Sequence, residues 1–399
     1  MSDDSAIDEG TAYGHRHPPH DPRLTEVGAG TPMGELLRRY WHPVGLAADA
    51  GATPRAVQVL GETLILFRDG AGRPGLLHPH CAHRGTSLVY GRTEPEGIRC
   101  CCHGWLYDVQ GRCLEQPAEP QPRGPLCANV RQPWYPVQER YGLVFAYLGP
   151  PQAKPLLPHY DELETLEPGE SIEADDSSIG GGGPPVIPCN WLQHWENVVD
   201  PYHVPVLHGS FSGPQFVAAM AQMPKVQFSA TGRGVRVQSW RTLDDGRRLN
   251  RITEAVLPTL RVVPSPRLHR FGRVESIGWV LPMDDTHFRI YVAGRVTSSG
   301  ELSRMRSTFN GKYWWDMTEA KHRDHPGDYE AQVSQGAIAS HAAEHRRGSD
   351  RGIALLRRAL REQLDIVARG GDPVGVERDP ARQRVALGCG NFAEDRSGG

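Results

Sequence analysis

Apolar and polar positions change period along this chain, and each change marks an element. Residues 56–60 and 63–67 are apolar-rich runs that flank Gly61-Glu62, a hairpin pattern. Residues 141–147 read as a later strand of the same β-rich region. Alternation returns at residues 235–239, 251–256, 276–280 and 287–292. It predicts an antiparallel sheet with one face toward a core or cavity. Two stretches carry a helical period instead. Residues 33–40 follow Thr31 as N-cap and Pro32. Near the far end Ser349 is set as a cap, Ile353, Leu356, Leu360, Leu364 and Val367 share a face, and Gly370-Gly371 closes the helix.

These elements divide the chain. Residues 1–22 are polar and rich in Pro, His and Asp, the composition of a disordered tail. A β-rich domain with an N-terminal helix spans 23–150 and ends at Gly149-Pro150-Pro151. A second domain spans 151–372, with a break at 180–185, and a C-terminal tail runs over 373–399. The fold class is α+β, an all-β domain followed by an antiparallel sheet with a long helix.

Composition removes several function classes. The net charge is −3 and the arginines are scattered among acids, so no nucleic-acid surface is expected. No apolar run approaches membrane-spanning length, and the first residues lack a signal-peptide pattern. Of the eight cysteines three are consecutive, which suits a reducing cytoplasm better than a disulfide framework. Cys113, Cys127, Cys189 and Cys389 read as packing or surface thiols.

The chemistry lies in two motifs. The first is Cys81-Ala-His83 followed by Cys100-Cys-Cys-His103. Each half brings one Cys and one His on a tight loop, the ligand spacing of a two-iron, two-sulfur cluster. Two thiolates would bind one iron and two imidazoles the other, which raises the potential to about −150 to +300 mV. Cys101 and Cys102 are poor alternatives, because Cys-x-x-His counted back from His103 reaches Cys100. Zinc is the competing reading for two Cys and two His. Zinc fingers, however, end in His-x-x-x-His rather than in two separated Cys/His hairpins. Arg84-Gly85 and Gly104-Trp105 also flank the pairs as in a Rieske site.

The second motif is Asn197-x-x-Asp200-x-x-His203-x-x-x-x-His208. Eighteen histidines make about one such His pair expected by chance, and His15/His20 and His78/His83 share the spacing. The setting lifts His203/His208. Asp200 lies one helical turn before His203, Asp200-Pro201 reads as an N-cap with Pro in the first turn, and Asn197 lies a turn further back. Hydrogen-bonded histidines on a buried helix are the alternative. A mononuclear iron needs a carboxylate beside two histidines and leaves positions open for dioxygen. Asp328, at a helix start behind Pro326-Gly327, is the choice, with Asp324 and Glu330 as runners-up. All three could instead be ordinary first-turn acids.

Residues 24–370 resemble Rieske non-heme iron oxygenases, specifically the large-subunit-only group that resembles phthalate 4,5-dioxygenase oxygenase components. The resemblance is carried by Gly30-Thr-Pro-Met-Gly-Glu-Leu-Leu-Arg-Arg-Tyr-Trp-His-Pro43, by both Cys/His loops, by Gly111-Arg-Cys-Leu-Glu-Gln-Pro-Ala-Glu-Pro120, and by Ser334-Gln-Gly336, Glu344-His345 and Ser349-Asp-Arg-Gly352. In that family the iron ligand is an Asp eight residues before the Gly matching Gly336, which again selects Asp328. Many relatives carry Glu-Gly where this chain has Glu196-Asn197, so Asn197 is a weaker assignment than Asp200. The chain also has Cys101-Cys102 where relatives often show Tyr.

The resemblance implies a helix-grip catalytic domain and a head-to-tail homotrimer. A flavin or iron–sulfur reductase would pass electrons from NAD(P)H to the [2Fe–2S] cluster, and O2 would be co-substrate at Fe(II). Asp200 would bridge the cluster of one subunit, through His83 or His103, to His203 of the next. The product would be a hydroxylated, dihydroxylated or demethylated aromatic. An electron carrier without oxygenase activity, or a metal-stabilised ligand-binding protein, is the rival class. For the pocket, Trp240, Trp279, Met283 and Phe288 are candidates, and Arg236, Arg241, Arg251 or Arg295 could pair with a substrate carboxylate.

Overall fold

The computed structural model describes residues 18–176, 183–212, 215–304 and 316–395. Most of the expected N-terminal tail, with His15 and His17, lies outside the described residues. Residues 18–22 lead into the short helix Pro22–Thr25, whose cap Asp21 pairs with Arg361 at 2.9 Å.

The N-terminal half begins with the helix Pro32–Leu37, capped by the Thr31 side chain. Three small sheets follow. Trp41–Leu46, Leu143–Tyr147 and Val137–Arg140 form the first. Arg55–Val59, Glu62–Arg68, Pro74–Leu77 and Trp134–Tyr135 form the second. Arg92–Glu94, Gly97–Arg99, Leu106–Tyr107 and Cys113–Glu115 form the third. The first hairpin turns at Leu60-Gly61, one residue before the expected place. Both residues have positive φ, 49° and 81°, as a two-residue hairpin turn of matching twist requires. A smaller core of Ile65, Phe67, Leu77, Leu88, Ile98 and Tyr107 lies between the second and third sheets.

The C-terminal half is one large antiparallel sheet. Its main strands are Ser171–Asp175 (β1), Lys225–Ala230 (β2), Gly234–Thr242 (β3), Arg248–Val256 (β4), Leu260–Val262 (β5), Ser276–Asp284 (β6), His287–Val296 (β7) and Gly390–Glu394 (β8), and the two residues Gly272–Arg273 pair with β8. The order is β1-β7-β6-β5-β4-β3-β2, and β8 pairs with β4 beside β5. Three helices cross one face: Trp191–Asn197 (α1), Asp328–Val333 (α2) and Arg351–Ala368 (α3). On α3, Leu356, Leu360, Leu364 and Val367 are buried, and Gly370 at φ 80° ends it. Its cap is Asp350 rather than Ser349, which sits in the preceding 3₁₀ turn. Gly352 passes so close to Val199 that a Cβ would lie 2.4 Å from its carbonyl. Glycine is therefore required where α3 starts.

The larger apolar core runs through both halves. Phe145 meets Trp279 edge-on at 5.4 Å, and Leu60 and Gly61 donate backbone hydrogen bonds to Pro282 and Met283. The expected tail after Asp372 is different in the structure. Residues 390–394 return to the sheet and pair with β4 over five positions. Cys389 just before them and Asn391 among them are buried, so the segment closes the core.

Candidate active site

The two Cys/His loops are built alike. Gly85 donates its backbone N–H to the Cys81 carbonyl at 2.8 Å, and Gly104 to that of Cys100 at 3.1 Å. Both glycines have positive φ, 78° and 73°, which lets each loop turn back after its His. Gln132 pins the first loop from below. Its amide oxygen accepts from Ala82 N at 2.7 Å, and its amide nitrogen donates to the carbonyls of His78 and His80. Cys81 and Cys100 are buried together, and the Tyr107 hydroxyl lies 3.2 Å from the Cys81 sulfur. Burial, and then the neighbouring Cys81, pushes the Cys100 thiol up to about 11. His83 and His103 meet edge-on at 4.6 Å at the outer end, and Trp105 stacks on His83 at 4.3 Å. Paired thiols inside and paired imidazoles outside fit a Rieske [2Fe–2S] cluster.

The second motif does not form the α-helix that its spacing suggested. α1 ends at Asn197, and Pro201 lies outside any helix. Asp200 instead accepts the Tyr202 N–H at 2.8 Å. A π-helical turn follows over Val204–Phe211. In an α-helix residues five apart point about 140° apart. The wider π turn brings them nearly over one another. His203 and His208 accordingly meet with ring centroids 5.4 Å apart.

Asp328 at the start of α2 completes the group. Its Oδ1 lies 3.1 Å from His208 Nε2 and 3.8 Å from His203 Nε2. The ligand atoms of all three residues lie within 4.8 Å of one another. Burial would raise the Asp328 carboxyl, but the charges of His208 and His203 hold it well below the usual range. For His208 burial is opposed by Asp328 and Gln215, and the net shift is upward. Two imidazoles and one carboxylate on one side of a site are the donor set of non-heme Fe(II) with open positions.

The neighbours of this triad orient it. Asn197 donates its amide N–H to Asp328 Oδ1 at 3.2 Å. Asp200 Oδ2 stands 3.4 Å from His203 Nδ1, for which the described residues offer no other partner. Gln215, which no sequence pattern marked, has its amide oxygen 2.7 Å from His208 Nδ1. The runners-up do not reach the pair. Asp324 is exposed at the end of the helix Glu319–Asp324, and Glu330 caps Gly327 N and pairs with His322. A second group of Glu196, His341 and Glu344 already has a cation, because Arg357 bridges both carboxylates.

The expected pocket residues separate by face. Trp240 and Trp279 alternate with the helix-facing positions of β3 and β6, so both lie on the outer face. Phe288 is inward and stacks on His194 at 5.3 Å. Arg236 and Arg295 are outward and paired, with Glu254 and Glu170.

Comparison with known proteins agrees with this construction. The Rieske [2Fe-2S] domain family matches residues 40–136. The chain is 50% identical to phenoxybenzoate dioxygenase subunit alpha of Ectopseudomonas oleovorans, over 96% of this chain and 94% of the relative. It is 35% identical to the oxygenase subunit of tert-butanol monooxygenase / tert-amyl alcohol desaturase of Aquincola tertiaricarbonis, over 94% and 84%. In fold it is similar to NdmB of Pseudomonas putida CBB5, with a TM-score of 0.63 and 19% identity over 94% of this chain and all of that one. Among the described residues, no helix is long and apolar enough to cross a membrane.

Proposed function

The chain belongs to the Rieske non-heme iron oxygenases of the aromatic ring-hydroxylating kind, and from that membership we propose that it oxygenates a carboxylated aromatic ring system of the diaryl ether type. Its cofactors are the Rieske [2Fe–2S] cluster and a mononuclear Fe(II), with O2 as co-substrate and electrons supplied by a reductase. The substrate class follows from the name of the most extensive of the matches above, a phenoxybenzoate dioxygenase. In this reading Cys81 and Cys100 hold one iron of the cluster and His83 and His103 the other. His203, His208 and Asp328 hold the mononuclear iron. The observation that carries the assignment is the convergence of these three from segments 120 positions apart.

When bound, the cluster supplies single electrons and the iron supplies the binding and reduction of dioxygen. The chain's own residues hold that chemistry in place. The Gln215 amide oxygen can only accept, so Nδ1 of His208 carries the proton and Nε2 offers its lone pair inward. Asn197 occupies one oxygen of Asp328 and fixes the carboxylate plane. Asp200 holds His203 from behind and is itself partly exposed. His103 is exposed at the tip of its loop. Those two surfaces suit contact between subunits, and we read the protein as a head-to-tail homotrimer in which Asp200 joins one subunit's cluster to the neighbour's iron. No disulfide joins any of the eight cysteines, which fits a cytoplasmic enzyme.

The test is turnover. Protein loaded with iron and sulfide is supplied with NADH and a surrogate reductase, then offered carboxylated diaryl ethers. Oxygen uptake matched by a ring-oxygenated product is expected. Uptake coupled only to uncharged aromatics would refute the substrate class, and a native mass other than that of three chains would refute the trimer.

A further inference from the structure

The inner face of the catalytic sheet carries three arginines that no described carboxylate pairs. Register fixes where they point. A Cβ on Gly352 of α3 would touch the Phe228 ring, so the Phe228 face of the sheet is the one that faces the helices. Phe228 is opposite Val237, and Val237 is opposite Thr253. Side chains directly opposite share a face, and every second residue returns to it. Arg241 of β3 and Arg251 and Ala255 of β4 are therefore inward. Ala255 is opposite Arg261 of β5, and Arg261 is opposite Gly278 of β6.

The three differ in how they are held. Arg241 is 6% exposed and donates to the Gln222 carbonyl and the Ser239 hydroxyl. Arg251 donates to the Pro264 and Ser265 carbonyls and to Asn391, with buried Glu275 acting on it from further away. Arg261 is half-buried, and its side chain has no hydrogen bond or ion pair to any described residue. Burial lowers its pKa, and Asp328 is the one charged group that opposes this. Asp328 is engaged elsewhere, with Asn197, His208 and His203. Gly278 keeps room for the Arg261 stem, since a Cβ there would lie 2.7 Å from Arg261 Cγ. By contrast, outward Arg236 and Arg295 each have a carboxylate.

A guanidinium held inside without a counter-charge costs stability unless an anion visits it. Its flat fork matches a carboxylate in two places. We propose that Arg261 is the specificity-determining residue of this site: it takes the carboxylate of the aromatic substrate and so sets which ring carbons face His203, His208 and Asp328. Arg251 and Arg241, further along the same face, extend the positive field in which such an anion enters. The inference rests on the reading above that the substrate is an aromatic carboxylate.

Steady-state turnover of the loaded enzyme tests it, with a carboxylated diaryl ether compared with its uncharged primary amide. For Arg261→Gln, kcat/KM on the carboxylate falls between about 10- and 100-fold, chiefly through KM, the worth of one charged hydrogen-bonded contact. On the amide it changes little, and Arg261→Lys recovers part of the loss on the carboxylate. The ratio of ring-position products shifts in Arg261→Gln. Equal losses on both compounds, or no loss on the carboxylate, would overturn the role of Arg261 while leaving the substrate class intact. A wild-type enzyme that oxygenates the amide and not the carboxylate would overturn both. Should Arg261→Gln fail to retain iron and cluster, the Lys variant alone decides, by the same carboxylate-to-amide comparison.

Discussion

Gln215 and His208 form a hydrogen-bonded pair at 2.7 Å, and the same glutamine donates to the Pro326 carbonyl at 3.4 Å. It thus ties the π turn that carries the histidines to the break that precedes Asp328. Replacing it with Leu keeps the volume and removes the acceptor. Iron affinity is expected to fall about 10- to 100-fold, as for other partners behind a metal ligand. Iron content after dialysis, read against an unchanged visible spectrum of the cluster, checks this. Unchanged iron retention would show that the amide does not orient His208.

Asp200→Asn keeps the shape behind His203 but removes the charge. Both metals should stay bound, and turnover should drop by about 100-fold or more, since the carboxylate sets the orientation and basicity of the imidazole. Full activity with normal coupling of oxygen uptake to product would contradict the role of Asp200.

Gln132 is wholly buried beneath the first cluster loop. Gln132→Leu leaves the Ala82 N–H and the carbonyls of His78 and His80 without their partner. Each lost hydrogen bond costs about 0.5–1.5 kcal/mol. The variant should lose its cluster absorbance at lower temperature than the wild type, while its mononuclear iron content stays the same. Loss of both metals in parallel would mean that the two halves unfold as one unit.

His42 gives a pH dependence. It is buried, donates to the Leu37 carbonyl at 2.8 Å, and burial holds its pKa down at about 4, against 6.5 ordinarily. The unfolded chain therefore binds a proton at a pH where the folded protein does not. Stability falls as pH drops from 6.5 to about 4, by about 3 kcal/mol from this residue, and levels off below. Urea midpoints across that range should show a shallower acid limb in His42→Gln. An identical limb would place the acid sensitivity in other groups.

Much of this could be read from the chain alone, and the exceptions have physical causes. The cluster residues are legible because their donors sit in short loops closed by Gly85 and Gly104. The His203/His208 pair is legible as a spacing, but its geometry is not. A reading at 3.6 residues per turn cannot foresee a π turn, and it placed Pro201 in a helix that does not exist. Asp328 could be chosen from the Pro-Gly break before it. Gln215 could not, because a lone glutamine in a loop carries no pattern. Arg261 escaped notice because its isolation depends on partners in other strands, which only register reveals. The last strand was missed because Gly390-Asn-Phe-Ala-Glu394 is short and lacks alternation.

That last strand bears on synthesis. Asn250 of β4 meets Glu394 of β8 across 144 positions of sequence, whereas the first half pairs Trp41 with Tyr147 much sooner. As the chain leaves the ribosome N-terminus first, the cluster domain can finish its sheets while the catalytic one still shows a bare β4 edge. Such an edge is a template for wrong pairing, so the nascent enzyme is most prone to aggregate in the interval before residues 390–394 emerge.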